Sequence, residues 1–299
     1  MGAQLRAVRR RIGTVKSTAK ITRAQELIAS SRILKAQQRV HAAAPYAREI
    51  TTAVEAVVSR SANITHPLTT EAEHPARAAV LILTSDRGFC GGFNASVMRE
   101  AQSLNALLAE RGVEPAPYVA GRKGIVWHRF RERQMAGEWS GFSDTPVNAN
   151  ASQITSVLID AFGKPAGDGG VDEIYLVYTE FISMLTQRPV VHRLLPLEIT
   201  EREERAPIPV YDFEPSPEQV LDALLPWYVE SRIFHALLDS AAAEIAARRR
   251  AMKSATDNAN DLLDALTREA NKARQAEITQ EISEIVGGAN ALAETISGS

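Results

Sequence analysis

Ser85-Asp86-Arg87-Gly88-Phe89-Cys90-Gly91-Gly92-Phe93-Asn94 is the one stretch of this chain that invites a chemical reading. It follows the apolar run Arg77–Thr84 and precedes an amphipathic run that ends near Glu110. A glycine-rich turn from strand to helix exposes backbone N–H groups, which cradle phosphate, and a cysteine there could act as a nucleophile. Against this, G-x-x-x-x-G-K-[ST] is absent, the spacing is not G-x-G-x-x-G, and no histidine lies in the motif. Two readings stay open, a nucleotide site and a tight structural turn built on Asp86, Arg87, Gly88, Gly91 and Gly92. The missing motifs favour the turn, with Cys90 as a small buried hydrophobe. The six histidines (41, 66, 74, 128, 192 and 235) show neither H-x-x-x-H nor H-E-x-x-H spacing, and a single cysteine excludes a cysteine-based zinc site or a disulfide framework. Glu203 and Glu204 sit in a charged run that reads as solvated. No catalytic, cofactor-binding or metal-ligating residue is expected, and no cofactor.

The elements around this turn are legible from composition. The chain has 299 residues, 45% hydrophobic and 23% charged, with a formal net charge of −2. No apolar stretch approaches the roughly 18 to 20 residues that span a bilayer, and the start lacks the apolar core of a signal peptide. A cytoplasmic-type chain is expected. Residues 1–50 carry 11 Lys/Arg against Glu26 and Glu49 alone, whereas residues 201–299 carry 10 Lys/Arg against 18 Asp/Glu. A basic start suits a nucleic-acid arm or a partner helix of opposite charge. Placement decides for the helix: proline is absent before Pro45 and after Pro226, and 16 of the 17 aromatics fall between residues 77 and 235.

Leu5, Val8, Ile12, Val15 and Ala19 step by 3, 4, 3, 4, as do Met252, Ala255, Ala259, Leu262 and Leu266. Ile278, Ile282, Ile285, Ala289, Leu292 and Ile296 form a further run, with a slip of register near Ala273. These runs predict a coiled-coil helix over 1–60, of roughly 85 Å, and another over 218–299, whose part from Trp227 is roughly 110 Å. The two pair antiparallel. Between them, residues 77–217 read as a small, three-layer α/β domain with a largely parallel sheet. The predicted strands are 77–84, 117–121, 173–181 and 190–199. The predicted helices are the amphipathic run after Asn94 to about Glu110, 125–133 and 152–162. A polar linker over 61–75, a flexible loop over 164–170 and a proline-rich connection over 201–217 complete the reading. The fold class is mixed α/β.

Three stretches carry a resemblance. Arg11–Ala24 (RIGTVKSTAKITRA) with Ala29-Ser30-Ser31-Arg32, the turn Ser85–Asn94, and Lys272–Val286 (KARQAEITQEISEIV) occur in order and span nearly the whole chain. Together they resemble the gamma subunit of the F-type ATP synthase, of the bacterial, actinobacterial kind. That resemblance implies a non-catalytic central rotary shaft, an antiparallel coiled coil emerging from a Rossmann-like domain. It implies alpha and beta subunits around the coiled coil, the epsilon subunit and the membrane c-subunit ring as partners, and a role in hydrogen ion transport and ATP synthesis. It also implies peripheral attachment at the cytoplasmic face of the plasma membrane, with no nucleic acid bound and no direct bilayer insertion.

By the same resemblance, Arg274, Gln275, Thr279 and Glu281 contact a beta-subunit loop. From Ile285 onward only Glu294 is charged, so Ile285, Leu292 and Ile296 read as a bearing tip. Gln25, Arg249 and Arg250 stand where many members carry Met, and Ala270 replaces a usual aromatic. Residues 163–170 look like an insertion seen in some actinobacterial members, a candidate regulatory projection. The two-cysteine insertion of chloroplast members is missing.

Overall fold

Arg77–Leu83 (β1) is apolar at every position after the first, the composition of a strand covered on both faces. In the computed structural model, which describes residues 2–60, 71–197, 214 and 216–297, β1 is the centre of a five-stranded sheet. The other strands are β2 (Glu114–Ala120), β3 (Gly137–Trp139), β4 (Glu173–Phe181) and β5 (Gln187–Leu195), in the order β3-β2-β1-β4-β5. β1 pairs parallel with β2 and β4, β2 pairs parallel with β3, and β5 returns antiparallel on β4. The helices are α1 (Gly2–Arg60), α2 (Phe93–Glu110), α3 (Arg122–Phe130), α4 (Asn148–Phe162) and α5 (Pro217–Ser297).

The chain divides into two compact units, Met1–Ile28 with Arg250–Ser299, and Ala29–Arg249. In the second unit, strand period two sends alternate residues of β1 to opposite layers. Ala79, Leu81 and Leu83 join Ile154 and Leu158 of α4, Val54 and Val57 of α1, and Val229, Ile233 and Leu237 of α5. Ala78, Val80 and Ile82 join Val97, Ala101 and Leu108 of α2 and Ile125 of α3. The result is a three-layer α/β body. Here α1 and α5 run antiparallel: Arg249 Nε donates to Ser30 Oγ at 2.9 Å, while Ile50, Val54 and Val57 share a core with Leu221, Tyr228 and Val229. Ala29, Ile33 and Ala36 pack with Ala242, Ile245 and Ala246.

In the first unit, α1 buries Leu5, Val8, Ala19 and Thr22, with Ile12 and Val15 half-buried, the heptad seam read from the sequence. The α5 seam differs from its reading. Met252, Thr256, Ala259 and Leu266 are buried and Leu263 half-buried, whereas Leu262 is exposed. Thr256 takes the seam position because its hydroxyl is satisfied twice, donating to Met252 O at 2.9 Å and accepting from the Thr22 hydroxyl at 2.8 Å.

Other boundaries also move. β2 starts at Glu114 despite Pro115 and Pro117, because β3 pairs only with Tyr118–Ala120, so β2 is an edge over those prolines and their missing N–H groups cost little there. α3 starts at Arg122 and α4 at Asn148, earlier than expected; Asn150 Oδ1 accepts from Val147 N at 2.9 Å, supplying the cap. β5 runs 187–195 rather than 190–199, as the arm of a hairpin. The expected loop over 164–170 contains a 3-10 turn, Ala166–Asp168, closed by Asp168 N and Gly170 N donating to Pro165 O at 3.0 Å each. Pro45 and Pro226 lie inside α1 and α5 without ending them. Residues 61–70 of the expected linker and 201–213 of the expected connection lie outside the described residues.

Candidate functional site

The turn after β1 is held from three sides. Asp86 Oδ1 accepts from Arg122 N at 3.0 Å, and Asp86 Oδ2 accepts from Gly141 N at 2.8 Å and Ser143 N at 2.9 Å. Asp86 N in turn donates to Ser143 Oγ at 2.8 Å. Asp144 accepts ion pairs from Arg32 at 3.0 Å and Arg87 at 3.5 Å. From α5, Arg248 Nη2 donates to Arg87 O at 3.2 Å and Nε donates to Gly88 O at 3.3 Å, while Nη2 also pairs with Glu244 at 2.7 Å. Glu244 is 1% exposed, and burial pushes its carboxyl upward against the pull of Arg248.

Cys90 lies buried beside Phe93, Ala243 and Ala247, and burial is the largest effect raising its thiol. Asn94 Nδ2 donates to Cys90 Sγ at 3.2 Å and Asn94 Oδ1 accepts from Ser85 N at 2.9 Å. The first N–H of α2, on Phe93, is spent on Cys90 O at 3.2 Å. The turn thus presents carbonyl oxygens to a guanidinium, with the N–H groups of Ser85, Asp86 and Phe93 already engaged. Such an arrangement grips α5. Phe89 (φ 61) and Gly91 (φ 57) take left-handed backbone, which glycine adopts without strain. Glu244, Arg248, Ser143 and Asp144 were not singled out by sequence reasoning. Their only sequence signal is a charged i,i+4 pair in an alanine-rich helix.

In the first unit, Arg274, Gln275, Thr279 and Glu281 are all exposed on α5. Thr279 Oγ1 donates to Gln275 O at 2.9 Å and Ser283 Oγ to Thr279 O at 2.9 Å, so the hydroxyls turn back on the helix. The four lie within two turns of one helix, among Ile278, Ile282, Ile285 and Val286, whose exposures run from 45% to 71%. Gly287 and Gly288 meet nothing around them. Leu292 and Ile296 are helical in backbone, but their side chains lie outside the described ones.

Among the described residues, no group of three His, Cys, Asp or Glu side chains is placed to hold a metal, and no helix is long and apolar enough to cross a membrane. A cleft of about 450 Å³ in the second unit is lined by Tyr46, Trp227, Phe234 and Ser231; Asn148 donates to Glu230 at 2.6 Å, and the Ser231 hydroxyl is turned back on Tyr228 O at 2.9 Å. An apolar seam left bare beside an exposed polar cluster is the surface of a subunit that works inside an assembly.

Comparison with known proteins makes that class specific. The family model described as ATP synthase matches residues 4–292. The chain is 59% identical to the ATP synthase gamma chain of Acidothermus cellulolyticus over 99% of both chains, and 57% identical to that of Thermobifida fusca over 100% of both. In fold it is similar to a chain of the Euglena gracilis mitochondrial ATP synthase rotor (TM-score 0.65, 14% identity, 93% of this chain and 100% of that one). It is also similar to one from the Tetrahymena thermophila central stalk and c-ring (TM-score 0.58, 23% identity, 79% and 99%). The chain belongs to the ATP synthase gamma chain family, a subunit of the ATP synthase complex that is not itself catalytic.

Proposed function

We propose that the chain turns as a shaft inside a ring of three alpha and three beta subunits, its foot resting on the membrane c-subunit ring beside the epsilon subunit. Its place is peripheral, on the cytoplasmic face of the plasma membrane. Residues 1–60 and 218–299 are the shaft and residues 77–217 the foot. The observation that carries this reading is the bare seam of α5: Ile278, Ile282, Ile285 and Val286 are exposed in the chain alone, and apolar residues at helical spacing have a partner to meet.

The mechanism follows from asymmetry. Identical beta subunits become inequivalent when an uneven shaft touches each differently. Moving one subunit from 1:99 to 99:1 between two conformers takes about 5.5 kcal/mol of differential interaction. Charge-assisted hydrogen bonds contribute about 1.5 to 3 kcal/mol each, so Arg274 with Gln275, Thr279 and Glu281 is enough when steric exclusion adds to it. Ile285, Leu292 and Ile296 form the low-charge bearing tip, which slides past the sleeve with few polar stops per turn. The turn Asp86, Arg87, Gly88, Gly91 and Gly92 is structural, locking the foot to α5.

Affinity purification of the tagged chain from its native membranes tests this. Stoichiometric recovery of alpha and beta subunits with ATPase activity is expected; recovery of the chain alone from gently extracted membranes contradicts it.

A further inference from the structure

The far side of the α/β body carries a patch that the shaft reading leaves unused. α3 buries Ile125 and His128 toward the sheet layer of α2. Val126 and Phe130, four residues apart and therefore on one face, point away, 56% and 83% exposed. After α3 the chain reverses, with Arg133 N donating to His128 O at 3.0 Å and Glu132 in left-handed backbone (φ 52). That reversal lays Arg131 and Arg133 against Trp127, their Cζ atoms 4.2 Å and 5.2 Å from the ring centroid. Arg129 is neutralised by Glu138 at 2.6 Å. Arg131 and Arg133 make no ion pair among the described residues.

We propose that Phe130, flanked by Arg131 and Arg133, docks an acidic protein surface that offers an apolar socket to the phenyl ring. Stacking on Trp127 fixes both guanidinium groups before binding, so less rotamer freedom is lost when they meet carboxylates. Planar guanidinium forks match carboxylates in pairs, and a protruding aromatic between arginines is the usual make-up of an interface hot spot. Charge argues for a protein. The chain has a net charge of −2, and Glu132 lies between the two arginines in sequence. An extended anionic membrane or a polynucleotide would meet that carboxylate within the screening length of about 8 Å, whereas a short acidic segment meets the arginines alone. The proposal rests on the assembly described above, since the acidic surface belongs to a neighbouring subunit.

The test places p-benzoylphenylalanine at position 130 of the chain in the intact, purified assembly, with illumination and mass spectrometry of the products. Crosslinks converging on one acidic segment of another subunit are expected. Arg131→Glu with Arg133→Glu should cut their yield by about tenfold, as loss of paired charges at an interface does. Arg131→Lys with Arg133→Lys, which keeps the charge without the fork, should cut it less. Crosslinks to lipid or nucleic acid, a pattern no more focused than from the same probe at the exposed Val157 of α4, or a yield indifferent to charge reversal would overturn the proposal. Recovery of the assembly without the crosslink refutes this patch alone; failure to recover any assembly refutes the shaft reading instead.

Discussion

Residues 236–247 and 278–289 are two stretches of the same helix, twelve residues each, and every residue of the first is buried while every residue of the second is exposed. The first, ALLDSAAAEIAA, is apolar or small at every position but Asp239 and Glu244, so α1, the sheet and the glycine-rich turn can close around it. The second, ITQEISEIVGGA, keeps isoleucines at helical spacing but separates them with polar residues and ends in two helix-weakening glycines. One stretch is spent on holding a domain together. The other keeps its apolar side chains for something outside the chain.

The most disruptive way to probe the buried stretch is Arg248→Ala, which strands the Glu244 carboxylate and two turn carbonyls. A loss of about 3 to 5 kcal/mol is expected from breaking a buried pair one-sidedly, measured by urea unfolding of the purified chain, with partial recovery when Glu244→Gln is added. An unchanged midpoint would show that Arg248 holds nothing.

Asp239 gives a subtler probe of the same stretch. Burial, followed by the charge of Glu180, pushes its carboxyl from 3.8 up to about 7. The folded chain therefore binds this proton more tightly than the unfolded one. The stability it contributes is complete below pH 3.8, declines as pH rises between there and about 7, and is gone above. His235, 3.9 Å away on the same helix face and lowered chiefly by burial, acts in the opposite sense. Asp239→Asn should flatten the fall in Tm between about pH 4 and 7 and raise Tm at the alkaline end. An unaltered slope would remove Asp239 from the account.

The exposed stretch should respond inversely. Ile282→Ser is expected to change the stability of the isolated chain by less than about 0.5 kcal/mol, as surface substitutions do, while lowering yield or activity of the assembled complex. A large loss of stability in the isolated chain would mean that the seam is already covered.

The same contrast explains what could be read without coordinates. The α1 seam was legible because Leu5, Val8, Ile12, Val15 and Ala19 are all apolar and strictly spaced. The α5 seam was misplaced by one residue at two positions, because Thr256, a polar side chain, outcompetes Ala255 through hydrogen bonds that spacing does not reveal. β1 and β4 were plain from their continuous apolar runs. β3, three residues long, carries too little pattern to stand out, and the antiparallel return of β5 depends on the hairpin over 182–186, bonded through Ser183 N and Thr186 O. The turn 85–94 was visible as a motif, yet its anchor Arg248 lies 160 residues away from Gly88. Local pattern marks a turn; only tertiary packing says what it grips.

The central claim, that distal α5 acts through its surface and not through the fold, is tested most directly by Arg274→Ala. The isolated chain should melt as the wild type does, and proton-driven ATP synthesis by the reconstituted complex should fall by about tenfold, the loss of one charge-assisted bond. Unimpaired synthesis, or a chain that melts earlier by several degrees, would contradict it.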